Sequence, residues 1–390
     1  MKKTGLTVLS VLLVLSLLTV SVFAAGNNAA EKQGLCDWLQ NADNTGFDYS
    51  ETSFADGTVD WSAFALARSF ADVPKEYPAY INAVVENTFS SLYPSDISRV
   101  TLSATACGLD PRAVGGHDLL AALSSVDYTK QTYLSSLVFP LIAMNFRSDF
   151  SFSDEVKTDI VKTILASQLS DGGFPYSTED SGYGVTSDTD STSMAVQALA
   201  PYYKTDDAVR AAVDKALDYL LTQQFDDGSF GYTAWGSKSG ESTAQVILAL
   251  CALGLDPTEA RFVKNGKTPV DALKTYIGEN GGAWYLDYQS GKPVENALST
   301  YQVLMGLEAY DRFVSGAPAI YTYDEKPQAP ETTEPTTTPE TTAPQTTEPA
   351  TENKENVEIP KTGAATVPVG AAALLLGAAA TVLFVKKDER

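Results

Sequence analysis

The sequence alternates two kinds of helical segment, and this alternation constrains the fold more than any other feature of the chain. Six segments are apolar on every face and rich in Ala, and each opens on an acidic or hydroxyl residue: Asp60 to Ala67, Asp96 to Ala106, Thr132 to Met144, Asp190 to Leu199, Glu241 to Leu250 and Glu295 to Leu307. A helix that is apolar all round has no face to give to water, so these six are expected to be buried. Between them run segments with charge on one face only: Ala29 to Gln40, Ala79 to Leu92, Ala113 to Ser124, Asp154 to Gln168, Asp206 to Gln224 and Pro269 to Gly278. In Asp206 to Gln224 the apolar Val209, Val213, Ala216, Leu217, Leu220 and Leu221 recur at helical spacing, with Asp207, Arg210, Asp214, Lys215 and Asp218 elsewhere.

Six buried helices, each covered by its neighbours and one amphipathic partner, predict concentric rings. The expected fold is all-α, an (α/α)6 toroid of about twelve helices filling one domain over 26–318. An open helical solenoid is the alternative stacking of the same units. Two of the buried segments are followed by Gly-Leu-Asp-Pro, at Gly108 to Pro111 and Gly254 to Pro257. Gly then Asp-Pro is a helix cap and stop, and its recurrence supports a repeat.

The two ends read differently from the middle. Lys2 and Lys3 precede an apolar run from Leu6 to Phe23 that closes on Ala24, Ala25 and Gly26, the layout of a signal peptide over 1–25. Residues 319–358 turn to Thr, Pro and Glu, which bury too little surface to offset chain entropy, so a disordered stalk is expected there. Ile359-Pro360-Lys361-Thr362-Gly363 follows, then an apolar stretch over 364–385 and a basic tail over 386–390. This arrangement resembles the cell-wall sorting signal read by sortases, whose usual pentapeptide is Leu-Pro-x-Thr-Gly; Ile359 departs from it. An apolar run of about twenty residues crosses a bilayer as one helix, with the terminal cations on the cytoplasmic side. The resemblance implies cleavage after Thr362 and its joining to peptidoglycan. Sortase and peptidoglycan are then the expected partners, and the outer surface of a Gram-positive-type cell the expected location.

The formal charge of −22 lies almost wholly between the signal peptide and the stalk. A surface so acidic repels phosphate backbones, which excludes nucleic acid as a partner. Three cysteines, Cys36, Cys107 and Cys251, leave open one disulfide with a free thiol or three buried thiols, and their wide spacing disfavours zinc. No cofactor is implied.

The loops entering the later buried segments carry the most specific signal. Gln168-Leu169-Ser170-Asp171-Gly172-Gly173-Phe174, Gln224-Phe225-Asp226-Asp227-Gly228-Ser229-Phe230-Gly231 and Gly281-Gly282-Ala283-Trp284 share one theme, a tight turn followed by an aromatic residue. The theme resembles the prenyltransferase and squalene-cyclase repeat, which implies the same toroid. Terpenoid cyclases of that fold protonate substrate with Asp-x-Asp-Asp, and Asp188-Thr189-Asp190-Ser191 matches it at Asp188 and Asp190 but not at Ser191. Asp190 or Ser191 as a helix cap is the competing account, with Glu241 and Ser242 in the same role on another helix.

Asp190, Glu241 and Glu295 each open a buried helix and could converge at one mouth of the ring, where a glycosidase would need two carboxylates. Trp61, Tyr183, Tyr232, Trp235, Trp284, Tyr285 and Tyr288 fall on loops or helix starts near the same place, and suit a small molecule, a glycan or a peptide. The helical part also resembles the cobalamin carriers of the intrinsic-factor type in Asp60-Trp61 and Gly-Leu-Asp-Pro. Taken together, the sequence predicts a wall-anchored surface protein whose toroid binds a ligand or adheres without catalysis. An exported terpenoid-cyclase-like enzyme and a cobalamin-carrier-like domain are the alternatives. The expected ligand-binding residues are Trp61, Asp190, Tyr232, Trp235, Glu241, Trp284 and Tyr288.

Overall fold

The computed structural model describes residues 28–324, apart from 181 and 183 and the side chain of Trp235. The signal peptide, the stalk beyond 324, the sortase pentapeptide Ile359 to Gly363 and the apolar 364–385 stretch lie outside the described residues. Among those described, no helix is long and apolar enough to cross a membrane.

The helices are α1 (Ala29–Gln40), α2 (Ala42–Thr45), α3 (Gly57–Arg68), α4 (Tyr77–Thr88), α5 (Pro94–Ala106), α6 (Leu119–Ser124), α7 (Ser135–Phe146), α8 (Asp154–Ala166), α9 (Thr189–Leu199), α10 (Asp207–Thr222), α11 (Gly240–Leu253), α12 (Pro269–Lys274) and α13 (Ala297–Ser315). The six segments read as buried correspond to α3, α5, α7, α9, α11 and α13. Each packs on the next, and α13 closes back on α3, so the inner ring is complete. Outside it, α1 covers α13, α4 and α6 cover α5, α8 covers α7, α10 covers α9 and α12 covers α11. The fold is an α/α toroid, and closure of the ring excludes the open solenoid.

Inner helices are buried on all sides: Val196 and Leu199 of α9, Ile247 and Leu250 of α11 and Val303 and Leu304 of α13 expose nothing to solvent. Each such side chain contributes on the order of 1.5–3 kcal/mol by leaving water. Their Ser and Thr residues are tolerated there because the hydroxyls bond back one turn. In α5, Thr101 Oγ1 donates to Ile97 O at 2.7 Å and Thr105 Oγ1 to Thr101 O at 2.6 Å. Two outer helices, α6 and α12, fall well short of their patterns, at 6 residues each. The stretch from Ala113 begins as a turn, with Gly115 at φ 56° so close to α4 that a Cβ there would sit 2.6 Å from Asn82 O, and α6 starts only at Leu119.

The toroid also runs past 318. Residues 319–324, expected to belong to the stalk, pack across the end of the ring where the inner helices finish. Ile320 is buried, Tyr321 stacks on Phe64 with ring centroids 5.6 Å apart, and Tyr323 N donates to Phe146 O at 2.8 Å. Arg68, at the end of α3, donates to Ile320 O at 2.8 Å and to Thr322 O at 2.7 Å, and pairs with Asp324. The three cysteines are free, and burial pushes the Cys36 and Cys107 thiols up to about 12.

Candidate functional site

The opposite end of the ring, where the inner helices begin, is built from one unit used three times. Outer helices α8, α10 and α12 each lead into a turn, then a two-stranded antiparallel hairpin that delivers the chain to α9, α11 or α13. The hairpins are β1 (Phe174–Pro175) with β2 (Ser187–Asp188), β3 (Phe230–Tyr232) with β4 (Ser237–Ser239), and β5 (Trp284–Asp287) with β6 (Lys292–Glu295). In the first two units a glutamine closes the turn. Gln168 Nε2 donates to Gly172 O at 2.8 Å, and Gln224 Nε2 to Gly228 O at 3.2 Å. In all three a helix threonine takes the N–H at the foot of the hairpin: Phe174 N to Thr192 Oγ1 at 2.8 Å, Phe230 N to Thr243 Oγ1 at 3.0 Å, and Ala283 N to Thr300 Oγ1 at 2.9 Å.

This register decides which carboxylates are caps. Ser191 N donates to Asp188 Oδ1 at 2.6 Å, Ser242 N to Ser239 Oγ at 3.0 Å, and Ser299 N to Asn296 Oδ1 at 2.7 Å. The caps are therefore Asp188, Ser239 and Asn296, and Asp190 and Glu241 are not caps as one sequence reading had them. Both are one residue inside their helix starts and on neighbouring inner helices. Glu241 accepts from the Ser299 hydroxyl of α13. Asp190 Oδ1 is buried and has no hydrogen-bond partner among the described residues. Burial, then the charges of Asp188 and Glu241, push the Asp190 carboxyl up to about 7, against the pull of the Ser242 hydroxyl. Burial also raises Asp188, but two backbone N–H groups favour its ionised form. Asp190 Oδ1 has no such donor among the described residues, so burial acts on its carboxyl with less relief.

Glu295 serves structure: its two oxygens accept from Asn280 N at 3.1 Å and Gly282 N at 3.2 Å and tie the third hairpin to its turn. The aromatic residues divide. Trp61 is buried, its ring 5.6 Å from Phe64 and 5.3 Å from Phe139, so it fills the ring. Trp284 is half-buried, with its indole N–H on Thr275 O at 3.2 Å and its ring against Tyr276. Tyr232 donates to Ser187 O and so joins the second hairpin to the first. Tyr288 is exposed, and its hydroxyl lies 2.8 Å from Ser237 Oγ of the neighbouring hairpin.

The inner ring holds two further polar clusters, neither of which the sequence motifs single out. Arg99 Nε pairs with Asp60 at 2.9 Å and Nη1 with Asp96 at 2.7 Å, a buried cross-link between the starts of α3 and α5. Gln197, Gln245 and Gln302 form a chain of amides across α9, α11 and α13. Their signal was present: Gln197 is seven residues after Asp190 and Gln245 four after Glu241, which puts amide and carboxylate on one helix face.

No family model and no curated protein matches the chain. Solved structures do match its fold. A UGL variant recorded with dGlcA-Glc-Rha-Glc aligns with TM-score 0.54 at 13% identity, over 75% of this chain and 97% of that one. The chain is similar in fold to known α/α-toroid hydrolases. The unsaturated glucuronyl hydrolase of Bacillus sp. GL1, described as responsible for glycosaminoglycan degradation, gives 0.51 at 14% identity over 74% and 97%. A heparin-specific unsaturated glucuronyl hydrolase gives 0.50 at 12% identity over 74% and 99%. The expectation of a non-catalytic binding or adhesive toroid is corrected by this comparison: the neighbours are catalytic proteins.

Proposed function

We propose that the chain is a glycoside hydrolase with Asp190 as its general acid. One observation carries the reading: a carboxyl released from capping, buried with an unpartnered oxygen, and pushed up to about 7 beside Asp188 and Glu241. Hydrolysis of a glycosidic bond needs an acid that still holds its proton near neutral pH and a second carboxylate for water. In this reading Asp190 gives its proton to the leaving oxygen as the carbon–oxygen bond breaks. Water adds to the anomeric carbon and loses its proton to Glu241, which Ser299 holds in place. The fold-level likeness to glucuronyl hydrolases supports the choice of a sugar substrate.

The ends of the sequence support display of this enzyme outside the cell, through joining of Thr362 to peptidoglycan by a sortase. Glycans are abundant there.

The test is release of reducing ends from a panel of oligosaccharides by the purified chain, with Asp190→Asn and Glu241→Gln as controls. Turnover that both substitutions abolish supports the assignment. Turnover that survives Asp190→Asn removes it.

A further inference from the structure

The amide chain below the carboxylates says what kind of sugar the site accepts, on the hydrolase reading above. Gln197 Nε2 donates to Gln245 O at 3.0 Å and to Gln245 Oε1 at 2.9 Å, and Gln245 Nε2 donates onward to Gln302 Oε1 at 3.0 Å. A backbone carbonyl only accepts, so the contact with Gln245 O fixes which end of the Gln197 amide carries the N–H groups. That leaves Gln197 Oε1 as the odd atom. It belongs to a side chain only 4% exposed, and it has no hydrogen-bond partner among the described residues. A buried amide oxygen without a donor has lost its water without replacement, a cost that a ligand N–H or O–H would recover.

The charges at this end point the same way. Asp188, Asp190 and Glu241 gather there, and the cations that reach it are held by the protein's own acids: Arg99 by Asp60 and Asp96, Lys238 by Asp227, and Lys130 by Asp127. Lys292 stands opposite Asp287 in its hairpin. A uronate or sulfate would meet the like charge of Asp188 and Glu241, whereas hydroxyl and amide groups meet acceptors. We propose that the site takes an uncharged sugar, a hydroxyl or amide N–H of which donates to Gln197 Oε1 directly or through one bridging water. In this the chain differs from the glycosaminoglycan-degrading proteins whose fold it shares.

The test uses the full chain and two matched ligands: an oligosaccharide cut from an unsulfated glycosaminoglycan, and the same oligosaccharide after its carboxyl groups are reduced to alcohols. Calorimetric titration is expected to show the reduced, neutral form binding at least about tenfold more tightly, the scale of an unrelieved like-charge contact. Gln197→Leu is expected to weaken the neutral form about tenfold, the scale of one buried hydrogen bond. Gln302→Leu, at the half-buried end of the chain of amides, gives the same direction should Gln197→Leu fail to fold. Equal or tighter binding of the uronate form, or unchanged binding in both folded variants, overturns the proposal and leaves the hydrolase reading standing. Turnover and binding of neither form overturns both.

Discussion

Asp188 and Asp190 are two residues apart and have opposite roles: Asp188 Oδ1 accepts the Ser191 N–H at 2.6 Å as a helix cap, while Asp190 Oδ1 is buried with no donor among the described residues. The division predicts distinct variants. Asp190→Asn keeps the shape but removes the proton, and is expected to lower kcat by about 10²–10⁴-fold, the usual contribution of a general acid. Asp188→Ala is expected to cost about 1 kcal/mol of stability through loss of the cap. In the parent the rate should fall as pH rises through about 7, as Asp190 ionises. A pH–rate profile flat from 5 to 9 contradicts the assignment of Asp190.

The same group links stability to pH. Its ordinary value is 3.8 and its folded value about 7, so between the two the folded chain holds a proton that the unfolded chain has lost. Stability therefore falls as pH rises from about 4 to about 7, and this contribution is level above that. Asn cannot ionise. Asp190→Asn is thus expected to melt with the parent near pH 4 and above it at pH 8, by about 2–4 °C for each kcal/mol recovered. Melting curves at the two pH values check it, and a variant less stable at pH 8 speaks against a raised carboxyl.

Much of this fold was legible because a helix apolar on every face has one explanation, burial, and six of them alternating with amphipathic partners have few arrangements. The caps were not legible. Asp188, Asp190 and Ser191 all suit a helix start, and the choice among them is made by a hairpin whose strands, at Phe174 and Ser187, are only two residues long. Periodicity has no purchase on so short an element. The end of the domain was misread for a related reason. Pro and Thr composition begins gradually, and the signal that 319–324 belongs to the core lay in Ile320, Tyr321 and Tyr323, too few residues to form a pattern.

The repeated threonine is expected to bear on stability at each of its three positions. Thr243→Val is nearly the same size but leaves the buried Phe230 N–H without an acceptor, so a loss of about 1–3 kcal/mol is expected. Thr243→Ser restores the oxygen and should recover most of it. Urea unfolding of the two variants makes the comparison, and equal losses would show that packing of the methyl group matters and the hydrogen bond does not.

The terminal segment closes the far end of the ring through charge as well as packing. Asp324 pairs with Arg68 and, at 2.9 Å, with Arg312, two arginines that are themselves buried, and Arg312 also donates to Arg68 O. Asp324→Asn removes the carboxylate that pairs Arg68 and leaves Arg312 with Glu308, and is expected to cost about 1.5–3 kcal/mol, the range for hydrogen bonds to a charged group. Ending the chain at Pro318 does more. It also uncovers Phe64, from which Tyr321 is lost, and removes the carbonyls of Ile320 and Thr322 that Arg68 uses, so two buried cations remain with fewer partners. Ending it at Asp324 retains all of these contacts. A chain stopped at 324 should therefore melt with the full chain, and one stopped at 318 well below it. Were both to melt together, the segment would be only resting on the ring, and the toroid would end at 318 as its sequence first implied.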